Sequence, residues 1–270
     1  MPRGQVCRIS EHIEFQVNVD PRGMICLGSA SYTNISEVKG IMSASLANRT
    51  KIWATFFSKI SYPRDIPLVV QSFQHHRNFA LPDDIWQKVE PIGGYLLKKE
   101  AALLFWAARQ CPVAGAVIEL GSFEGRSTGV FALAGRSVHA IDAWSSNVSD
   151  LSAYGQGEIP ANDVFQRFQN NLRQLQIEDL VSIKRGLTQP IGQNWREEGA
   201  ILFVDAGHTY EDVKGDLTVW TPHLHSQGFL IMHDVLGYNF LGVTQAAGEL
   251  LKHSWQVIAS SGTAVAFKRK

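Results

Sequence analysis

Polar side chains follow four apolar runs of the chain, at the point where each run ends. A carboxylate can accept hydrogen bonds or bind a metal ion, and a histidine that titrates near neutral pH can take a proton. Because parallel strands end at one edge of a sheet, we expect these side chains to meet there and form a ligand site. The four ends are Glu119-Leu120-Gly121, Asp142, Asp205 with His208, and His233-Asp234.

The segment from Val117 to Thr128 predicts a buried strand, a glycine turn and the start of a helix. Gly121 and Gly125 let the backbone approach a ligand closely. The helix N-terminus offers free N–H groups to a carboxylate or a phosphate. Asp142, one helix and one strand later, can accept hydrogen bonds from both hydroxyls of a ribose. Together these features are typical of a nucleotide-cofactor site.

The spacing of the glycines indicates which kind of cofactor. A dinucleotide site requires the pattern G-x-G-x-x-G, whose second glycine admits the pyrophosphate. Phe123 stands at that position, and Glu119 precedes the glycines. The looser pattern favours a cofactor with an amino-acid tail. An ordinary strand–turn–helix with no ligand stays open as the alternative.

The elements that must position these groups alternate in type along the chain. Apolar runs predict strands at 116–120, 138–141, 181–184, 200–204 and 229–232. Helical spacing predicts helices at 94–109, 127–134, 164–175, 210–220 and 243–251. The last two β-rich runs, 255–259 and 263–267, leave no room for a helix between them and predict an antiparallel hairpin.

This order predicts an α/β fold with a doubly wound, mostly parallel seven-stranded sheet that finishes in a C-terminal antiparallel hairpin. We expect the main domain in residues 81–270 and an N-terminal α+β extension in residues 1–80. Within the extension, residues 13–27 predict a hairpin and residues 38–59 predict one or two helices. The extension would act as a lid, a dimerisation arm or a substrate-binding segment.

Composition excludes several classes of protein. The 270 residues are 45% hydrophobic and carry no formal net charge, so nothing drives binding to nucleic acid or to an anionic membrane. Three cysteines are too few for a disulfide framework, which favours a reducing compartment. No apolar run reaches membrane-spanning length, and no signal peptide is recognised. We therefore expect a cytoplasmic protein.

Four segments of the chain resemble those of S-adenosylmethionine-dependent methyltransferases with a Rossmann-like fold. They are most similar to bacterial small-molecule O-methyltransferases, including those that modify macrolide sugars. The resemblance covers residues 81–270 and implies methyl transfer to a hydroxyl of a small molecule, in natural-product biosynthesis. The segments are Ile118 to Thr128, Ile141 to Trp144, Phe203 to Tyr210 and Gly228 to Val235.

The resemblance also implies a cofactor site for S-adenosylmethionine. Glu119, Gly121, Ser122 and Gly125 would frame its methionine end, with Ser127 near its carboxylate. Asp142 would hold the ribose hydroxyls, and Trp144 would lie where the adenine region begins. Leu187 stands where relatives often have an acidic residue, so the chain departs from the pattern there. The implied cofactor-binding residues are Glu119, Gly121, Ser122, Gly125, Ser127, Asp142, Ala143, Trp144, Gly186 and Asp205.

For catalysis, the resemblance implies that Asp205 and His208 act together, with His208 as the general base. Metal-dependent relatives bind Mg²⁺ at this edge, which implies Asp205, Asp234 and His233 as ligands here. His233 departs from the oxygen ligands that Mg²⁺ prefers. Two other roles stay open: His208 as a cap of the following helix, and His233 as a structural histidine bonded to a backbone carbonyl.

Three other functions compete with methyl transfer. The first is a nicotinamide-dependent oxidoreductase, against which Phe123 and the terminal hairpin argue. The second is a metal-dependent hydrolase, which would leave the glycine turn and Asp142 without a purpose. The third is a non-catalytic binding module. For partners we expect a small-molecule hydroxyl acceptor, no nucleic acid, no membrane, and self-association into a homo-oligomer through the apolar positions of the extension.

Overall fold

The computed structural model describes the backbone of residues 5–10, 13–19, 25–27, 66–144, 161–237 and 240–270, and the side chains of residues 67–144, 163–237 and 240–270. The chain divides into two compact units, residues 1–70 and 71–270. The expected helices at 38–59 lie outside the described residues. The roles expected for residues 1–80 stay predictions.

The first unit contains a three-stranded antiparallel sheet in the order β1-β2-β3. Val17 of the second strand pairs with Leu27 of the third, which confirms the predicted hairpin. The first strand was not predicted. The strands are β1 (Gln5–Ser10), β2 (Ile13–Val19) and β3 (Ile25–Leu27).

The second unit is built on a seven-stranded sheet in the order β6-β5-β4-β7-β8-β10-β9. Its first five strands are parallel, and β10 runs antiparallel to both β8 and β9. This confirms the predicted fold class. The strands are β4 (Val117–Leu120), β5 (Val138–Asp142), β6 (Val181–Arg185), β7 (Gly199–Val204), β8 (Leu224–Met232), β9 (Trp255–Ser261) and β10 (Ala264–Arg269).

Helices connect these strands. The helix Tyr210–Trp220 has the bounds that the sequence predicts. Three helices were not predicted because they are short or lie outside the alternating region. None of the described helices is long and apolar enough to cross a membrane. They are α1 (Ile66–Gln74), α2 (Asp83–Val89), α3 (Lys98–Gln110), α4 (Arg126–Leu133), α5 (Ala161–Leu175), α6 (Thr188–Gln193), α7 (Tyr210–Trp220) and α8 (Leu241–Leu250).

The helix before the first parallel strand begins later than the sequence predicts. Gly94, the expected start, has φ of 132°, which no α-helix contains. The helix α3 starts at Lys98 because the Glu100 side chain accepts a hydrogen bond from the Leu97 backbone N–H at 2.9 Å. This contact satisfies one of the N–H groups that the first turn leaves without a helical partner.

The core lies between the sheet and the helices. Phe203 of β7 packs edge-on against Phe131 of α4, with ring centroids 5.6 Å apart, and both side chains are fully buried. Because side chains alternate along a strand, Leu202 faces the opposite side of the sheet. It is fully buried too, so both faces of this strand are covered.

The register of the parallel strands aligns their ends in one row. Leu120 pairs with Ile141 of β5 and with Val204 of β7, and Val204 pairs with Met232 of β8. The strand order also reverses at β4, because β5 and β6 follow on one side of it and β7 and β8 on the other. Sheets of this kind bind ligands at such a point. The sheet therefore places in one row the residues that follow these four: Gly121, Asp142, Asp205 and His233.

Candidate active site

The glycine turn packs directly against the end of β7. Gly121 has φ of 86°, and a Cβ there would lie 2.1 Å from the carbonyl oxygen of Asp205. Gly125 has φ of 94° and precedes the first residue of α4. Any larger residue at Gly121 would push the two strand ends apart, so this glycine keeps the edge of the sheet closed.

Glu119 is a buried carboxylate beneath this turn. Its Oε2 accepts hydrogen bonds from the hydroxyls of Ser122 at 2.8 Å and Thr128 at 2.5 Å. Its Oε1 is buried and has no hydrogen-bond partner among the described side chains. Burial raises the pKa of Glu119 to about 7, although the hydroxyls of Thr128, Ser127 and Ser122 oppose this. A buried oxygen without a partner fits a cationic ligand group.

Asp142 ties the glycine turn to the end of β5. Its Oδ2 accepts from the backbone N–H groups of Ser122 at 3.0 Å and Phe123 at 2.9 Å, and its Oδ1 accepts from Trp144 N–H at 2.7 Å. Burial raises the pKa of Asp142, and these three hydrogen bonds partly offset the rise. An ionised carboxylate has about four acceptor sites, so these three hydrogen bonds leave capacity for a ligand hydroxyl.

Phe123 and Trp144 contact each other and stabilise the glycine turn. Phe123 adopts a left-handed φ of 47°, which explains how a bulky residue occupies a position typical of glycine. Trp144 donates from its ring Nε1–H to the Phe123 carbonyl at 2.7 Å, and its ring packs against Phe165 and Phe168. Because this ring is buried, Trp144 supports the turn, and the expected adenine contact gains no support.

The other predicted cofactor residues lie around Asp142 and Glu119. The Gly186 N–H donates to the Asp142 carbonyl at 2.9 Å, so the end of β6 joins the same edge. Ala143 follows Asp142 and is half-buried, and Ser127 is buried in the first turn of α4. Leu187 is exposed beside Gly186. The structure thus brings the predicted residues to one edge of the sheet.

A second cluster lies on the ends of β7 and β8. His208 Nε2 lies 3.3 Å from Asp234 Oδ2 and 3.9 Å from Asp205 Oδ1. His233 Nδ1 lies 3.2 Å from Asp205 Oδ1 and 3.3 Å from Asp234 Oδ2. Burial raises the pKa of Asp234, but the two histidines outweigh it and hold the pKa well below its usual range. The four predicted catalytic and metal-binding residues therefore meet, and each carboxylate faces both imidazoles.

Glu100 of α3 belongs to this cluster and was not predicted. Its Oε2 lies 3.2 Å from His233 Nε2, and its Oε1 accepts from the Thr263 backbone N–H at 2.9 Å. Burial raises the pKa of Glu100, but its hydrogen bonds and the charge of His233 outweigh this effect and hold the pKa below its usual value. The signal in the sequence was an acidic residue on the apolar face of a predicted helix, three residues after Leu97.

His233 is therefore not bonded to a backbone carbonyl, as one alternative proposed. Both of its ring nitrogens face carboxylates. Burial pulls the pKa of His233 down, but Asp205, Asp234 and Glu100 outweigh it and raise the pKa well above its usual value. His233 is thus buried among three acidic side chains that favour its protonated form.

His208 does not cap the helix that follows it. The Thr209 hydroxyl accepts from the Asp212 backbone N–H at 3.1 Å and is the cap of α7, so the cap alternative is wrong. The His208 ring lies 4.1 Å from the ring of Phe240, centroid to centroid. A Cβ on Gly242 would lie 2.8 Å from the His208 carbonyl, so α8 presses against this loop. His208 therefore lies at the edge of the sheet, beside Phe240 and the two aspartates.

Comparison with known proteins bears directly on this arrangement. Residues 118–235, which contain both clusters apart from Glu100, match the model of a family described as a methyltransferase domain. Over these residues the chain is similar to that family. The match begins at β4 with the glycine turn and ends just after Asp234, so it covers the row of strand ends.

Solved structures similar to this chain have the same fold. The SAH-bound methyltransferase PaMTH1 of Podospora anserina is 10% identical, covers 85% of this chain and 97% of its own, and has a TM-score of 0.54. The O-methyltransferase NovP is 16% identical over 63% of this chain and 79% of its own, with a TM-score of 0.51. TomG of Streptomyces achromogenes, an O-methyltransferase in complex with SAM, is 13% identical over 70% of this chain and 88% of its own, with a TM-score of 0.51. At these identities the similarity establishes the fold, and it does not favour the oxidoreductase or hydrolase alternatives.

The side chains at the ends of β7 and β8 do not fit the implied magnesium ion. Asp205, His208 and Asp234 are the described side chains whose ligand atoms lie within 4.8 Å of one another. Two of these offer the oxygen atoms that Mg²⁺ prefers, and His208 offers a nitrogen. Asp205 Oδ1 and Asp234 Oδ2 both face His233 Nδ1, at 3.2 and 3.3 Å. The His233 nitrogen would therefore compete with an ion for these two carboxylates.

Proposed function

We propose that this chain is an S-adenosylmethionine-dependent O-methyltransferase that methylates a hydroxyl of a small molecule. The observation that carries the proposal is the common edge at which Glu119 and Asp142 lie beside Asp205 and His208. The first pair suits a cofactor that is cationic and carries a ribose. The second pair suits removal of a proton from an acceptor.

The residues of the glycine turn fit this cofactor. The Oε1 of Glu119, which is buried and has no hydrogen-bond partner among the described residues, would accept from the ammonium group of its methionine end. A bound cation would stabilise the ionised form of Glu119. The free acceptor site of Asp142 would take one ribose hydroxyl, while its other three sites keep the turn folded.

The remaining task of the site is to position the acceptor and move one proton. S-adenosylmethionine supplies a methyl group bound to a sulfonium sulfur. This sulfur is already a good leaving group, because it departs as a neutral thioether. His208 takes the proton of the acceptor hydroxyl on its imidazole ring, as the C–O bond forms and the C–S bond breaks. Asp234 Oδ2, 3.3 Å from His208 Nε2, stabilises the positive charge that His208 gains. The proposed step uses no magnesium ion, since the donor set does not fit one.

The acceptor class is proposed from the kinds of enzyme that share the fold. NovP and TomG are named as O-methyltransferases, and TomG is described as involved in tomaymycin synthesis. We therefore propose a hydroxyl of a specialised metabolite as the acceptor. A neutral hydroxyl needs a base, and His208 supplies one beside the cofactor edge.

Calorimetry with S-adenosylmethionine and S-adenosylhomocysteine tests the proposal. The informative variant is Asp142→Asn, which keeps the shape of the side chain, and Asp163→Asn on the exposed side of α5 is the matched control. We expect micromolar binding in wild type and in the control, and a loss of about tenfold or more in Asp142→Asn. Absence of binding in wild type would refute the methyltransferase proposal.

A further inference from the structure

His233 lies where three carboxylates converge. Asp205 and Asp234 face its Nδ1 at 3.2 and 3.3 Å, and Glu100 faces its Nε2 at 3.2 Å. An ionised carboxylate can only accept hydrogen bonds, so both ring nitrogens must donate. A ring that donates from both nitrogens carries a positive charge. The centre therefore contains a cation that belongs to the chain itself.

The position of this cation is fixed by the fold. The His233 side chain is 5% exposed and that of Glu100 is 1% exposed. Glu100 is held in turn by the backbone N–H groups of Leu97, at the start of α3, and Thr263, beside β10. A histidine at the surface could turn away and release the two aspartates. This one cannot turn without leaving the Glu100 carboxylate buried with no positive charge beside it, which is costly.

We propose that His233, anchored by Glu100, takes the place of a divalent cation between Asp205 and Asp234, so that the methyl-transfer centre works without a metal ion. A bound ion would compete with His233 Nδ1 for these two carboxylates. It would lie against the imidazolium or displace it. Glu100 then acts as a positioning residue, because it touches His233 and not the acceptor. The inference rests on the proposed function, since it concerns the same centre.

The test compares metal binding in three forms of the full chain after dialysis against EDTA. The forms are wild type, His233→Asp, and His253→Asp as a control at an exposed histidine. Mass spectrometry of the elements measures metal content, and electron paramagnetic resonance measures binding of added Mn²⁺. We expect no bound ion in wild type or in the control. We expect one Mn²⁺ per chain in His233→Asp, because this change places a third carboxylate beside those of Asp205 and Asp234.

Several outcomes would overturn the inference. One is a wild-type chain that retains one divalent ion per chain or binds Mn²⁺ stoichiometrically at this centre. Another is a folded His233→Asp variant, checked by circular dichroism, that binds no ion. If His233→Asp does not fold, the wild-type measurement decides by itself. Calorimetry with S-adenosylmethionine on the same samples separates the two proposals: no cofactor binding refutes the proposed function, whereas metal binding in a chain that binds the cofactor refutes this inference alone.

Discussion

Glu100 Oε2 lies 3.2 Å from His233 Nε2, although 133 residues separate the two in the chain. The contact joins the helix before the first parallel strand to the end of the last one. Through His233 it reaches Asp205 and Asp234, which lie beside His208. The geometry of the proposed catalytic centre therefore depends on a buried residue of α3 that contacts His233.

Replacing Glu100 with Gln should lower kcat and leave cofactor affinity unchanged. The variant keeps the size of the side chain but leaves His233 with one carboxylate fewer, so we expect the free energy of unfolding to fall by about 3 kcal/mol. Because the pKa of Glu100 is lowered in the folded protein, its contribution is present above pH 4.5 and is lost as the pH falls further. Urea unfolding at pH 7 and pH 4 measures this difference.

Glu198→Gln, at an exposed position, is the control for that variant. It should change neither kcat nor stability. If Glu100→Gln weakened cofactor binding as much as it lowered kcat, Glu100 would support the whole edge of the sheet and would not position His233 specifically.

Replacing Glu119 with Gln should raise stability at neutral pH and weaken cofactor binding. Because burial raises the pKa of Glu119 from 4.5 to about 7, the ionised form is disfavoured in the folded protein. Wild type therefore loses stability as the pH rises from 4.5 to 7, by about 3 kcal/mol, and the neutral Gln does not. Unfolding at pH 5 and pH 8 checks the first effect, and calorimetry checks the second. Parallel pH profiles for the two proteins would contradict the expected pKa.

Replacing Trp144 with Phe should loosen the glycine turn. The variant keeps most of the buried ring but loses the hydrogen bond from Nε1–H to the Phe123 carbonyl. Such a bond contributes about 1 kcal/mol, so we expect S-adenosylmethionine to bind about fivefold more weakly. Trp255→Phe, on β9 at the far edge of the sheet, is the control. Equal effects in both variants would assign the loss to general destabilisation.

Replacing His208 with Gln should abolish most of the activity without changing cofactor binding. A general base contributes about 10²- to 10⁴-fold, so kcat should fall by that factor on any hydroxyl that wild type methylates. Transfer of a labelled methyl group measures the rate, and calorimetry measures binding. His253→Gln serves as the control at an exposed histidine. A variant that keeps full activity would exclude His208 as the base.

The sequence by itself determined the order of strands and helices along the chain. It also determined which polar residues follow the ends of the parallel strands. Strand and helix patterns differ in period, so 210–220 and the terminal hairpin could be predicted from local sequence. The polar residues after Leu120, Ile141, Val204 and Met232 stand out because buried apolar runs precede them. Since parallel strands end at one edge, their meeting followed from the fold class.

Only the tertiary structure decided what each polar group contacts. The burial of Trp144, the partnerless oxygen of Glu119 and the three hydrogen bonds to Asp142 depend on how loops pack, which no periodicity encodes. Glu100 is the clearest case. Its partner His233 is distant in sequence, and a contact between distant segments is fixed by the packing of α3 against the hairpin, not by the residues around either one.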